Sequence, residues 1–267
     1  MICFPNAKIN LGLHITGKRS DGYHTIETVF YPVPLTDALE AVIGEETSFK
    51  QTGIQLDSLP NDNLVMKAYA LMTKKHAIPP LNIYLKKAIP SGAGLGGGSA
   101  DAAFMLKLIN ELCECHITES KLEKMAASIG ADCPFFIRNK PVLATGIGNL
   151  FKPSDVSLKG YTLCIVQPPV AVSTKEAYAN VQPQKPTFSL AKLPTIAVSE
   201  WKEVLKNDFE PGIFKKYPVI GDIKNKLYAM GAEYAAMSGS GSAVFGLFRQ
   251  TISPHFSDCF VWTGILG

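Results

Sequence analysis

The stretch Pro90-Ser91-Gly92-Ala93-Gly94-Leu95-Gly96-Gly97-Gly98-Ser99-Ala100 constrains the fold more than any other part of the chain. Five of the seven residues from 92 to 98 are glycine, so the backbone can take positive φ and approach a ligand without interference from Cβ atoms. A short strand candidate, Asn82 to Lys87, precedes the stretch. The run Asp101 to Leu112 follows it and is apolar around most of its circumference, as a buried helix is. A glycine loop opening a helix presents unsatisfied N–H groups at the positive end of the macrodipole, which suits a phosphate chain. A turn that merely clears room for helix packing is the plainer alternative, but a plain linker would not leave those donors unsatisfied.

Three familiar phosphate-binding patterns can be set aside. Gly92-x-Gly94-x-x-Gly97 matches a dinucleotide fingerprint literally, with Glu111 near the acidic position. In a dinucleotide fold that acid follows a second strand, whereas Glu111 lies in a helix that runs on into another helix. Gly98-Ser99 stands where a P-loop needs Gly-Lys, and no His-Arg-Asp or Asp-Phe-Gly protein-kinase signature occurs. Phosphoryl transfer rests on positioning and charge neutralisation, so a cation must come from outside the lysine-free loop. Lys8 is the candidate. Ala7, Ile9, Leu11, Leu13 and Ile15 alternate with polar or small residues, the period of a half-buried strand, which puts Lys8 and Asn10 together on its other face. A carboxylate is needed to orient or deprotonate an acceptor hydroxyl, and Asp132 in Gly130-Ala131-Asp132-Cys133-Pro134 lies in a short polar gap after a helix. Read alone, Asp132 is an N-cap with Pro134 early in the next helical turn, and Asp101 is a carboxylate stabilising a helix start.

With 26 Lys and Arg against 23 Asp and Glu, the net charge of +3 is too small and scattered for a nucleic-acid face. The start of the chain lacks the pattern of a signal peptide, and no run approaches a membrane span. Cysteines at 3, 113, 115, 133, 164 and 259 show no paired Cys-x-x-Cys motif, which implies reduced thiols in a cytoplasm and no structural zinc. The pattern further predicts a returning strand from Tyr23 to Val33 and helices at Asn63 to Lys75 and from Leu122 to Ile129. A strand at Tyr161 to Gln167 and a Pro-rich loop over 182–194 come next, then helices at Trp201 to Leu205 and Pro218 to Met230. Strands at Tyr234 to Met237 and Ala243 to Phe248 flank a Gly/Ser turn. The turn-like residues 146–149 and the polar stretch after them set a boundary near 150, giving domains 1–150 and 151–267.

Together, Pro5-x-Ala7-Lys8-Ile9-Asn10-Leu11, Arg19-x-Asp21-Gly22-Tyr23-His24, Pro90 to Ser99 and Gly130-Ala131-Asp132-x-Pro134-Phe135 resemble the GHMP small-molecule kinase superfamily. The Arg-x-Asp-Gly-Tyr-His segment beside Ala-Lys-Ile-Asn-Leu resembles the branch that acts on a cytidine diphosphate-linked methylerythritol. Ser238-Gly239-Ser240-Gly241-Ser242 adds a weaker match to a third glycine-rich motif, which otherwise reads as a tight hairpin. The resemblance implies an α+β fold of two domains, the first like domain 2 of ribosomal protein S5 and the second ferredoxin-like. It implies ATP-dependent phosphorylation of the substrate's 2-hydroxyl in the non-mevalonate route to isoprenoid precursors. Lys8 and Asp132 would be the catalytic pair, and Pro90 to Ala100 the holder of ATP phosphates. Magnesium would accompany them without a dedicated carboxylate cage. Tyr23 and His24 would recognise cytosine by stacking and hydrogen bonding, with Tyr178 on the other side of the base. Asn10 would bind substrate or hold the lysine.

Overall fold

The computed structural model of the protein describes residues 1–55, 62–179 and 181–267. In chain order the first elements are β1 (Ile2–Cys3), β2 (Asn6–Lys18), β3 (His24–Thr36), β4 (Ala38–Ile43) and β5 (Ser48–Gly53). Next come α1 (Leu64–Thr73), β6 (Leu81–Lys87), α2 (Gly97–Leu112), α3 (Glu119–Ala127) and α4 (Phe135–Arg138). The remainder is β7 (Val142–Thr145), β8 (Leu150–Pro153), β9 (Thr162–Gln167), α5 (Thr174–Ala179), α6 (Trp201–Val204), α7 (Glu210–Lys216), α8 (Pro218–Ala229), β10 (Tyr234–Met237), β11 (Val244–Phe248) and β12 (Phe260–Ile265).

These residues form two compact units that interleave along the chain. One contains Met1–Ala7, Leu35–Ser91 and Gly96–Lys140, and the other Lys8–Pro34, Gly92–Leu95 and Pro141–Gly267. The expected single cut near 150 is not how the contacts divide. Residues 146–149 close the β7–β8 hairpin, in which Val142 pairs with Pro153 and Thr145 with Leu150, so their turn chemistry serves a hairpin and not a linker.

In the first unit a four-stranded sheet runs in the order β1-β4-β6-β5. Its pairs are antiparallel except β5 with β6, which the α1 crossover between them makes parallel. Leu39, Ala41, Ile83 and Leu85 point inward from it. Asn63 opens α1 by accepting the Val65 N–H at 2.9 Å. Helix α2 buries Ala100, Ala102, Ala103, Met105, Leu106, Leu108 and Ile109, and each fully buried Leu or Ile there stabilises the fold by roughly 1.5–3 kcal/mol. It begins four residues earlier than its apolar run predicts, because the glycines of the loop supply its first turn.

The second unit carries two sheets, β2-β3-β7-β8 and β10-β11-β9-β12. The latter is antiparallel throughout, with β9, the first of its strands in the chain, between β11 and β12. That is the ferredoxin-like strand order, with α5 to α8 supplied between β9 and β10. A core of Leu13, Ile15, Cys164, Val166, Ile213, Ile220, Leu227, Val244 and Phe248 fills it. β2 differs from the half-buried strand predicted above, since every residue from Asn6 to Ile15 is buried. Lys8 and Asn10 tolerate burial because they hydrogen-bond each other.

Candidate active site

Within the second unit, β2 presents the Lys8 ammonium to two oxygens, Asn10 Oδ1 at 2.7 Å and the Gly94 carbonyl at 2.9 Å. The Lys8 N–H also donates to the Leu95 carbonyl at 2.9 Å, so the lysine is tied to the tip of the glycine loop at both ends. Its Nζ lies 5.0 Å from the centre of the Phe30 ring, which presents a negative face to the cation. Asn10 in turn donates to Thr28 Oγ1 at 3.0 Å, and Thr28 donates to the Gly12 carbonyl at 2.5 Å. Of the two roles open to Asn10, this chain supports holding the lysine.

Gly94 has φ +76°, and a Cβ added there would overlap the Ser238 carbonyl. Only glycine meets both demands. Ser238 Oγ donates to the Gly94 carbonyl at 2.9 Å, and the Ala243 N–H donates to the Ala93 carbonyl at 3.2 Å. The third glycine-rich segment is therefore packed on the loop tip and does more than turn a hairpin. It is held by residues that sequence reading passes over. Asn207 donates to the carbonyls of Met237 and Gly239 at 2.8 Å each, and Glu210 Oε1 accepts the Met237 N–H at 2.8 Å. A polar Asn-Asp-x-Glu run at a helix start was the available signal, since buried polar side chains in such places need partners.

The stems of the loop belong to the first unit. Pro90 and Ser91 leave β6, and Gly96 is the N-cap of α2 in the left-handed region at φ +73°, without a side-chain cap. Gly97, Gly98, Ser99 and Ala100 form the first turn of that helix, so their N–H groups sit at its positive end. Asp132 stands in the turn just before α4, half-buried, two residues ahead of the N-cap position. Pro134, and not Asp132, occupies that N-cap, with no side-chain capping bond, so the capping reading is not what the structure displays. The neighbouring Cys133 thiol is pushed up to about 11 by burial, against a hydrogen bond from Ser99 that lowers it, which leaves it a neutral thiol beside α2's first turn.

Tyr23 is 63% exposed, at the end of a turn in which Arg19 pairs with Asp21 at 2.8 Å and Asp21 accepts the Tyr23 N–H at 3.1 Å. His24 and Tyr178 are brought together, ring centroids 4.8 Å apart and 17° from parallel, with Phe209 edge-on to Tyr178 at 4.8 Å. Asp101 lies in the first turns of α2 but is not an exposed carboxylate at the helix start. It is buried against Lys87. Among the described residues there is no group of three or more His, Cys, Asp or Glu that could hold a metal ion.

The GHMP kinases N terminal domain family matches residues 63–140 and the GHMP kinases C terminal family matches 190–254. The chain belongs to the GHMP kinases and is an ATP-dependent small-molecule kinase. Within that class it is 59% identical over 270 residues to the 4-diphosphocytidyl-2-C-methyl-D-erythritol kinase of Parabacteroides distasonis, covering 100% of both. It is 49% identical to the enzyme of the same name from Porphyromonas gingivalis, again over 100% of both. A crystal structure of 4-(cytidine 5'-diphospho)-2C-methyl-D-erythritol kinase superposes with a TM-score of 0.83 at 29% identity, over 100% of this chain and 99% of that one. A homoserine kinase from Cytophaga hutchinsonii, at 18% identity and TM-score 0.70 over 99% and 94% of the chains, shares the fold.

Proposed function

We propose that this kinase transfers the γ-phosphoryl group of ATP to the 2-hydroxyl of 4-diphosphocytidyl-2-C-methyl-D-erythritol, in the non-mevalonate route to isoprenoid precursors. The observation that carries the reading is the Lys8 ammonium, held by Asn10 and the Gly94 carbonyl at the tip of a glycine loop that opens a helix. In this reading the Pro90 to Ala100 segment binds the phosphates through backbone N–H groups. Lys8 lowers the cost of ionising the acceptor hydroxyl and offsets developing charge, and Asp132 takes or orients its proton. Tyr23 offers its exposed ring to cytosine, with the His24–Tyr178 pair beside it supplying the polar edge contact and a second aromatic surface. Magnesium enters with the ATP phosphates and not on a protein cage, and supplies charge neutralisation when bound. Free cysteines among the described residues fit a reducing cytoplasm, and no described helix is long and apolar enough to cross a membrane.

The test is a coupled assay of ADP release with and without the cytidylyl substrate. Release that depends on that substrate, and that falls in Lys8→Ala, is expected. Equal release with homoserine or mevalonate in its place would assign the chain to another branch of the family.

A further inference from the structure

Three charged side chains that take no part in the reading above lie together inside the first unit. Asp37, Lys87 and Asp101 are 1%, 3% and 2% exposed. The Lys87 ammonium donates to Asp37 Oδ2 and, at 2.6 Å, to Asp101 Oδ2. Asp37 Oδ1 also accepts the N–H groups of Ala88 at 2.5 Å and Ile89 at 2.8 Å. These residues are the stems of the phosphate loop: Lys87 to Ile89 lead into it from β6, and Asp101 lies one turn into the helix that leaves it. A Cβ on Gly97 would come within 3.3 Å of Lys87 Nζ, so the ammonium sits directly beneath the helix start.

The charge balance of the cluster is uneven. Two carboxylates share one ammonium, and Asp101 Oδ1 is buried with no hydrogen-bond partner. With all three groups ionised, a net negative charge would lie about one turn below the N–H groups that meet phosphate. At an effective dielectric near 20, a charge at such a separation alters the binding of another by on the order of tenfold or more. A proton on Asp101 removes that charge and lets the carboxyl donate to Asp37, a hydrogen bond that favours the protonated form.

We propose that Lys87, gripped by Asp37 and Asp101, is a positioning residue that joins the two stems of the phosphate loop, and that Asp101 carries a proton while ATP phosphates occupy it. The proposal rests on the placement of those phosphates at Pro90 to Ala100. Burial raises the Asp101 carboxyl to about 7, with Asp37 adding to the rise and Lys87 opposing it. The groups that bear on Asp101 are therefore Lys87 from β6 and Asp37 ahead of β4. Cys3 of β1 also feels the Asp101 charge, but burial pushes its thiol up to about 12, so it stays neutral. Above neutral pH, binding of ATP then takes up a proton at Asp101, and affinity falls by up to about tenfold per pH unit.

The experiment measures, by calorimetry, the affinity for magnesium and β,γ-imido-ATP between pH 6.5 and 8.5. Asp101→Asn cannot ionise and retains both an acceptor for Lys87 and a donor for Asp37. The ratio of dissociation constants at pH 8.5 and pH 6.5 is expected to be at least fivefold larger in the wild type than in Asp101→Asn, with the ligand's own titration common to both. Equal ratios would overturn the proton. For the positioning role, Lys87→Met with Asp101→Leu removes the ammonium and one carboxylate, leaving Asp37 held by the N–H groups of Ala88 and Ile89. It is expected to raise the nucleotide dissociation constant about tenfold or more and to leave that of the cytidylyl substrate within twofold. An unchanged nucleotide constant would overturn the role. If the double variant fails to fold, Lys87→Gln, which keeps a neutral donor, decides by the same two constants. Failure of the phosphate placement is a separate result: wild-type nucleotide binding would then be unaffected by Gly94→Ala.

Discussion

The Lys8 ammonium is held by Asn10 and Gly94 and the His24 ring by Tyr178, and substitutions separate holding from acting. Asp132→Asn is expected to keep nucleotide affinity and lower turnover by roughly 10² to 10⁴, the range for a positioned acid or base. A folded variant with wild-type turnover would leave Asp132 a residue of the α4 turn. Lys8→Arg is expected to restore only part of the activity lost in Lys8→Ala, because a planar guanidinium does not fit the compact pair of oxygens on Asn10 and Gly94. Tyr23→Ala removes the exposed ring, and stacking is worth about 1–3 kcal/mol per base, so the dissociation constant for the cytidylyl substrate rises roughly 5- to 150-fold. ATP affinity in the same titration is the internal control, and a loss in both ligands would point to a folding defect. Lys8 could be singled out as a candidate because the loop has no cation of its own, whereas Asp132, read alone as a cap, became a candidate only through the family resemblance. Asp37 and Lys87 were not legible, because they are 50 positions apart and their pairing exists only once the sheet of the first unit has formed.

The glycine loop allows a sharper comparison at the level of the element. Gly92 and Gly94 both have positive φ, at +62° and +76°, but a Cβ at Gly92 meets nothing within 4 Å while one at Gly94 meets the Ser238 carbonyl. Backbone strain alone costs about 1–2 kcal/mol, or a few degrees in thermal midpoint for a chain of this size. Gly94→Ala is expected to lose more than Gly92→Ala in melting temperature and to weaken nucleotide binding as well. Equal midpoints would mean that the Ser238 segment yields freely. Elements with strong periodicity, such as β2, α2, α3 and α8, were readable from sequence to within a few residues. β5 was not, because Ser-Phe-Lys-Gln-Thr-Gly is a polar edge strand with no buried face of its own, and α7 was obscured by Pro211 and Gly212 within it. β12 was missed because Gly264 interrupts its apolar run. The start of α2 was misplaced because glycine is a poor helix former that is nonetheless required where phosphate approaches.

For the whole molecule, the raised Asp101 carboxyl makes stability depend on pH with a definite sign. Below the ordinary carboxylate range the folded and unfolded chains both hold this proton. Between there and about 7 the native state keeps a proton that the unfolded chain releases, so stability falls as pH rises, and above about 7 the loss is complete. Asp101→Asn is therefore expected to melt higher than wild type by a margin that widens from pH 5 to about 7 and then levels off; a constant margin would contradict this. The interleaving of the two units has a consequence for how the chain is made. From one end to the other the backbone passes between them at Lys8, Leu35, Gly92, Gly96 and Pro141. Neither unit is a continuous stretch of the gene. A ribosome that has delivered the first 140 residues has supplied all of the first unit but only two separated pieces of the second, Lys8–Pro34 and Gly92–Leu95, with Pro141–Gly267 still unmade. Those early pieces already hold Lys8 with Asn10, Phe30 and Gly94, but the Ser238 segment that packs on Gly94 is delivered only near the end of synthesis, so the loop tip is the last part of this setting to be completed.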